Sequence, residues 1–79
     1  MKIKVYFFAA SREIVGKSQM EFELQEGESV SELLQIIRSH FHDLLTIEIT
    51  VAVNAEYTNN AYILHNGDEV AIIPPVSGG

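Results

Sequence analysis

Cysteine is absent from this 79-residue sequence, and positive charge is scarce. Without cysteine the chain forms no disulfide, offers no thiol nucleophile and builds no cysteine-based zinc site. Five Lys and Arg stand against eleven Asp and Glu, which gives a formal net charge of −6. Because nucleic-acid binding depends on clustered Lys and Arg, this balance argues against that role. The acidic charge suits a basic protein partner, or it serves only to keep a small protein soluble.

Long apolar runs are absent as well, since none approaches the roughly 20 residues that a membrane-spanning helix needs. Lys2 precedes an apolar stretch, which resembles the start of a signal peptide. That stretch is too short, and Arg12-Glu13 ends it without an obvious cleavage site. We therefore predict one small cytoplasmic domain with no membrane association and a stability of about 4–12 kcal/mol.

Hydrophobic periodicity predicts strands at both ends of the chain and one amphipathic helix between them. Period-two alternation indicates strands over residues 2–8, 20–24, 47–53 and 69–73, and spacings of three and four indicate a helix over 30–41. Ser29 and Glu32 form a capping-box pattern at the start of this helix. We predict a long hairpin loop around Gly16, and a short strand or irregular structure over residues 57–64.

This order of elements predicts an α+β domain. Its mixed sheet has four to five strands, one main helix packs on one face, and an extended Gly-Gly tail follows the last strand. The order is similar to the β-grasp fold of ubiquitin-like proteins.

No pattern of an ordinary active site is present in the sequence. His40, His42 and His65 show no spacing that is typical of a metal site, so we interpret them as surface histidines. The serines lie in no nucleophile-elbow motif, and the glycines outside the terminus are isolated turn residues. We therefore predict no metal, no tightly bound cofactor and no catalysis by this chain alone.

Strand alternation places several apolar side chains away from the core. If Ile3, Val5 and Phe7 fill the core, Phe8 points away from it, and the same parity applies to Ile73. If the first and last strands are neighbours, Phe8 and Ile73 share an uncovered face that Tyr57 extends. A patch of this kind indicates a protein interface. The alternative is that Phe8 packs beneath a loop or is singly exposed.

The last six residues, PPVSGG, are unusual for a chain terminus. Proline cannot donate to a strand ladder, so Pro74-Pro75 ends the last strand and favours an extended exit. Gly78-Gly79 carries no side chain, which lets it enter a narrow cleft of a partner. We therefore divide the chain into a ubiquitin-like domain, residues 1–75, and a flexible functional tail, residues 76–79, that includes Ser77.

The only functional group of Gly79 that a partner can modify is its terminal carboxylate. This group is ionised at neutral pH and is a poor electrophile, so it must be activated before it accepts another atom. Activation by ATP as an acyl-adenylate, followed by sulfur transfer, would turn the tail into a sulfur carrier. The alternative is a frayed end without function.

Three stretches of the sequence resemble one known family. VYFFAASREIVG near the start, VAVNAEY in the middle and NGDEVAIIPPVSGG at the end resemble the small subunits of molybdopterin synthase, which are ubiquitin-like sulfur carriers. The similarity extends over essentially the whole chain, and the terminal DEVAIIPPVSGG is its most specific part.

The resemblance implies a pathway for sulfur. An E1-like enzyme uses ATP to adenylate Gly79, and a sulfur donor system converts it to a thiocarboxylate, a 1-thioglycine. The chain then docks on the large synthase subunit, in a heterotetramer of two small and two large subunits, and delivers sulfur to cyclic pyranopterin monophosphate to form the dithiolene. Gly79 is the implied sulfur-bearing residue, with Gly78 and Ser77 behind it. Phe8, Tyr57 and Ile73 match the family's apolar contact surface.

Other functions of the same fold stay open at this point. A carrier for thiamine synthesis or tRNA thiolation would share the chemistry at Gly79 but use another acceptor. A ubiquitin-like modifier would join its C-terminus to protein lysines. A plain interaction module would retain its function without Gly79.

Overall fold

The computed structural model describes residues 1–75 of the chain. They form five strands, two α-helices and one 3₁₀ helix. In chain order these are β1 (Lys2–Phe7), α1 (Ala9–Val15), β2 (Gln19–Glu23), α2 (Val30–His40), the 3₁₀ helix (His42–Thr46), β3 (Thr50–Val53), β4 (Glu56–Thr58) and β5 (Glu69–Ile73).

The strands form one mixed sheet in the order β2-β1-β5-β3-β4. The first and last strands are parallel neighbours at its centre, with Val5 opposite Val70. Every other pairing is antiparallel. The structure confirms the predicted mixed sheet, and it shows that the two terminal strands are neighbours, which the shared face of Phe8 and Ile73 required.

Helix α2 covers one face of this sheet and closes the core. Its buried residues recur at the predicted spacings of three and four: Val30, Leu33, Leu34 and Ile37. They join inward side chains of the sheet, among them Ile3, Val5, Phe7, Val70 and Ile72. At the start of the helix the Glu32 carboxylate accepts a hydrogen bond from the backbone N–H of Ser29, as the capping pattern predicted. Each fully buried aliphatic or Phe side chain contributes about 1.5–3 kcal/mol.

The predicted antiparallel pairing of the first two strands is confirmed, but helix α1 occupies most of the connection that was predicted to be a long loop. The first strand ends at Phe7 rather than Phe8, and Ala9 adopts a φ of 53° immediately before the helical turns. Gly16 ends the helix with a φ of 81°, and its N–H donates to Arg12 O at 2.8 Å. Seven residues are too few for a clear helical period, so the pattern could not reveal this helix.

Two further boundaries differ from the prediction. Strand β3 begins at Thr50 rather than residue 47, because the 3₁₀ helix and its exit occupy the preceding residues. The unclear stretch around residue 57 contains β4, a three-residue edge strand. Asn54 and Ala55 connect β3 to β4 with φ values of 50° and 70°, and type I′ turns require such positive values at both positions.

Within residues 1–75, no helix has both the length and the apolar character needed to cross a membrane.

Candidate functional site

The sheet face opposite α2 is the candidate docking surface. Because successive side chains of a strand alternate between faces, the observed register decides which residues meet there. One row across the sheet contains Tyr6, Ala71, Ala52 and Tyr57. The next row, nearer the end of β5, places Ile73 opposite Thr50 on one side and beside the position of Phe8 on the other. We call the apolar part of these rows the open face: Tyr6, Phe8, Ala52, Tyr57, Ala71 and Ile73.

Phe8 lies at the end of the open face, in the same row as Ile73. It is 47% exposed although it follows directly after the buried Phe7. Its backbone N–H donates to Ile72 O at 3.2 Å, which fixes it beside the last residues of β5. Phe8 therefore does not pack beneath a loop, and its role in a protein interface stays a prediction.

Ser11 holds Phe8 in place, and the sequence interpretation missed this role. Its side chain is fully buried. Its hydroxyl donates to Phe8 O at 2.6 Å, accepts the N–H of Phe8 at 3.1 Å, and lies 3.4 Å from Ile72 O. Ser11 therefore ties the end of β1 to the end of β5. Serines often form such local bonds from the side chain to the backbone. Because helix α1 was not predicted, the position of Ser11 at its start was not recognised.

Tyr57 lies on the open face but at its far edge. Its side chain is 72% exposed on β4, and β5 and β3 separate that strand from β1. At about 4.8 Å per strand, Tyr57 is on the order of 14 Å from the line of β1. Tyr57 thus lies on the same face as Phe8 and Ile73, as the alternation predicted, but at its edge, and its part in a contact stays a prediction. Ala52 and Ala71 lie between and form a shallow floor that is bordered by aromatic residues.

Charged side chains limit the open face at the end away from Ile73. In the adjacent row, Lys4 lies between Glu21 and Glu69. The hydroxyl of Tyr6 donates to Oε2 of Glu69 at 3.1 Å, which links the apolar row to the charged one. The open face is thus polar at one end and apolar at the end where β5 leaves the sheet.

The described part of the chain ends beside this apolar region. Pro74, which directly follows Ile73, is buried, whereas Pro75 is exposed. The predicted tail, residues 76–79, lies outside the described residues, so the roles of Ser77, Gly78 and Gly79 remain predictions.

The described residues contain no cluster of three or more His, Cys, Asp or Glu that could hold a metal ion. All three histidines are exposed. The buried Asp68 carboxylate accepts hydrogen bonds from the His65 N–H at 2.8 Å and from Nδ2 of Asn54 at 3.0 Å. These bonds join two turns, which agrees with a structural role for Asp68.

A scan of family models matches the ThiS family over residues 5–79. Among curated relatives, the molybdopterin synthase sulfur carrier subunit of Chlamydomonas reinhardtii is 46% identical, with all of both chains covered.

Solved structures share the fold. A Pyrococcus furiosus protein, provisionally named molybdopterin converting factor subunit 1, superposes with a TM-score of 0.90 at 30% identity. That match covers 96% of this chain and 99% of the other. A chain from the complex of subunits 1 and 2 of the Helicobacter pylori molybdopterin-converting factor superposes with a TM-score of 0.72 at 23% identity, with all of both chains covered. The second likeness establishes the fold alone, and together they confirm the predicted ubiquitin-like β-grasp class.

Proposed function

This chain belongs to the ThiS family, and we propose that it is the sulfur carrier subunit of a molybdopterin synthase. The name of its 46% identical relative supports this choice among carriers that share the fold. One structural observation supports it most directly. Strand β5 carries Ile73 on the apolar open face and leads, through Pro74-Pro75, to the Gly-Gly terminus. A partner that docks on the open face therefore receives the terminus from the same strand.

The proposed chemistry takes place at Gly79. Its carboxylate attacks the α-phosphate of ATP on an E1-like enzyme, which forms the acyl-adenylate and releases diphosphate. A donor persulfide then attacks the acyl carbon through its terminal sulfur and expels AMP. A thiol cleaves the S–S bond of the resulting acyl disulfide, which leaves a thiocarboxylate on Gly79 and converts the donor to a disulfide. The thiocarboxylate sulfur bonds to a carbon of cyclic pyranopterin monophosphate, and water then cleaves the resulting thioester, which leaves the sulfur on the pterin and restores the Gly79 carboxylate. Two loaded chains deliver the two sulfurs of the molybdopterin dithiolene. This chain supplies no catalytic side chain of its own in the scheme.

The proposed partner for delivery is the large synthase subunit, in an assembly of two small and two large subunits. Phe8 and Ile73 anchor the contact and Tyr57 adds to it at the edge, because exposed aromatic and apolar residues dominate interface energetics. Gly78 has no side chain and Ser77 has a small one, so the tail fits into a narrow active-site channel. The net charge of −6 complements a basic partner surface.

An intact-mass measurement tests the proposal. The protein is incubated with an E1-like enzyme, ATP and a sulfur source, and a mass gain equal to replacing one oxygen by sulfur is expected. The variant that lacks Gly79 should show no gain and should keep the wild-type circular dichroism spectrum. A matched variant, Ser77→Ala, should gain the same mass as wild type.

Other outcomes of the same experiment would contradict the proposal. Larger species that contain the chain joined to other proteins would identify a protein modifier. A thiocarboxylate that forms but transfers no sulfur to the pterin in the presence of the large subunit would identify a carrier for another acceptor.

A further inference from the structure

A groove on the helical side of the molecule is distinct from the open face. It is open to solvent, has a volume of about 450 Å³ and lies between α2, the 3₁₀ helix and the loop that contains Asn60. Ser31, Gln35 and Arg38 contribute from one stripe of α2, since their spacings of four and three place them on the same side of the helix. This volume lies within the range of small-molecule sites in proteins.

Arg38 is the central cation of this groove, and no other described residue pairs with it. Within residues 1–75, none of its nitrogens takes part in a hydrogen bond or an ion pair, and its Nε atom is buried. A buried donor without a partner costs about 1–3 kcal/mol, and most such donors in folded proteins are satisfied. Arg38 therefore lines the groove without a carboxylate partner among the described residues.

The groove is also free of acidic residues within the described part of the chain. The chain carries eleven Asp and Glu, but none is among the lining residues. Glu32, the acidic residue within α2, is bonded to the N–H of Ser29 at the helix start. The charge of Arg38 is thus not neutralised by the lining residues, although the protein as a whole is acidic.

The remaining lining residues suit an anion attached to a small apolar group. Ser31 and Ser39 offer hydroxyl donors, and the His42 ring offers a further donor. Leu34 and Leu45 supply apolar surface, and Leu45 is 65% exposed although leucine usually avoids water. Together these residues provide donors for an oxyanion beside a surface for a hydrocarbon or ring.

We propose that this groove binds a small organic oxyanion, a carboxylate or a phosphate ester, with the Arg38 guanidinium as its main contact. The planar guanidinium donates to both kinds of oxyanion in a two-pronged geometry. The site lies on the α2 side of the sheet, so it does not depend on the proposed sulfur-carrier function. Loss of Arg38 is expected to leave sulfur loading at Gly79 unchanged.

An NMR titration of the ¹⁵N-labelled full chain tests this site. Phenyl phosphate and benzoate are added in separate series, and sodium chloride keeps the ionic strength constant. We expect saturable shifts of the Ser31, Gln35 and Ser39 amides and of the Arg38 Nε–H signal. Saturation by one probe alone identifies the oxyanion that the groove selects, and saturation by both identifies a site for either.

Two variants distinguish binding in the groove from a general effect of positive charge. Arg38→Gln should weaken binding by about tenfold or more, since a hydrogen bond to a charged group contributes about 1.5–3 kcal/mol. Arg12→Gln removes the same charge from α1 and should bind as wild type. If Arg38→Gln fails to give a folded spectrum, Arg38→Lys keeps the charge but loses the two-pronged geometry and should bind more weakly. Shifts that never saturate, or equal binding by the Arg38 and Arg12 variants, would overturn the proposal.

Discussion

Two adjacent phenylalanines at the end of β1 lie in different surroundings. Phe7 is buried in the core, while Phe8, the next residue along the chain, is 47% exposed on the open face. Both residues are phenylalanine, so residue type does not explain the difference. Alternation along an extended strand, together with α2 covering only one face, decides it. The core and the candidate docking surface therefore meet at the end of β1, where a single peptide unit separates Phe7 from Phe8.

Removal of the core ring should have the largest effect on the folded state. We expect Phe7→Ala to lower the free energy of unfolding by about 3–5 kcal/mol, because the variant loses a fully buried side chain and leaves a cavity. Urea denaturation followed by circular dichroism measures this change. A loss below about 1 kcal/mol would show that Phe7 is not a core residue and would remove the contrast with Phe8.

Removal of the exposed Phe8 ring should lower the affinity for a partner more than it lowers the stability. Phe8→Ala should cost at most about 1–2 kcal/mol of stability, since half of the ring is already in water. Its affinity for the large synthase subunit should fall by about tenfold or more, as expected for an aromatic anchor.

Calorimetric titration of the two subunits measures the affinity of the Phe8 variant. Leu45→Ala is the matched control, since Leu45 is exposed but lies on the α2 side. Equal losses of affinity in both variants would contradict the assignment of the open face as the docking surface.

Ser11 is buried and bonded to the exposed Phe8, so its variant should lose both stability and affinity, each by a smaller amount. Ser11→Ala leaves the Phe8 backbone without its hydroxyl partner, and we expect a stability loss of about 1–2 kcal/mol. Because Phe8 is then less well positioned, affinity for the large subunit should also fall, by less than in Phe8→Ala. Ser18→Ala, at an exposed position, should change neither quantity. A Ser11 variant that loses stability but keeps full affinity would limit the residue to a structural role.

The smallest expected effect lies at the β3–β4 turn. Ala55 adopts a φ of 70°, a conformation that glycine tolerates better than alanine. Ala55→Gly should therefore raise the free energy of unfolding, by roughly 0.5–1 kcal/mol. Ala10→Gly, within α1, should lower it by about the same amount. Thermal unfolding of both variants checks the opposite signs, and an Ala55→Gly variant that is less stable than wild type would contradict the strain at this turn.

Periodicity predicted the long elements well and the short ones poorly. The helix over residues 30–41 and the strand over residues 69–73 match the structure closely, because each repeats its pattern over several residues. Helix α1 and the 3₁₀ helix were missed, since each has too few residues to show a period. Strand β4 has only three residues, so its pattern was equally ambiguous.

The sequence predicted some residues of the candidate site, but it did not predict the distances between all of them. Alternation along β1 and β5 identified Phe8 and Ile73 as residues that point away from the core. The distance of Tyr57 from them, and the alanine floor between, depend on the order of strands in the sheet. Ser11 depends on the same long-range pairing, because one of its neighbours is Ile72.

The sequence by itself determined the alternation of the strands, the apolar stripe of α2, the acidic charge and the Gly-Gly terminus. These are local or additive properties, which a short window of residues specifies. Tertiary structure alone decided that Ser11 clamps Phe8 beside β5, that Tyr57 lies at the edge, and that Arg38 faces a groove whose described lining has no acid. Each of these facts needs at least one residue that is distant in the chain, such as Ile72 beside Ser11 or Asn60 beside α2, and such contacts form only when the sheet and helices pack together.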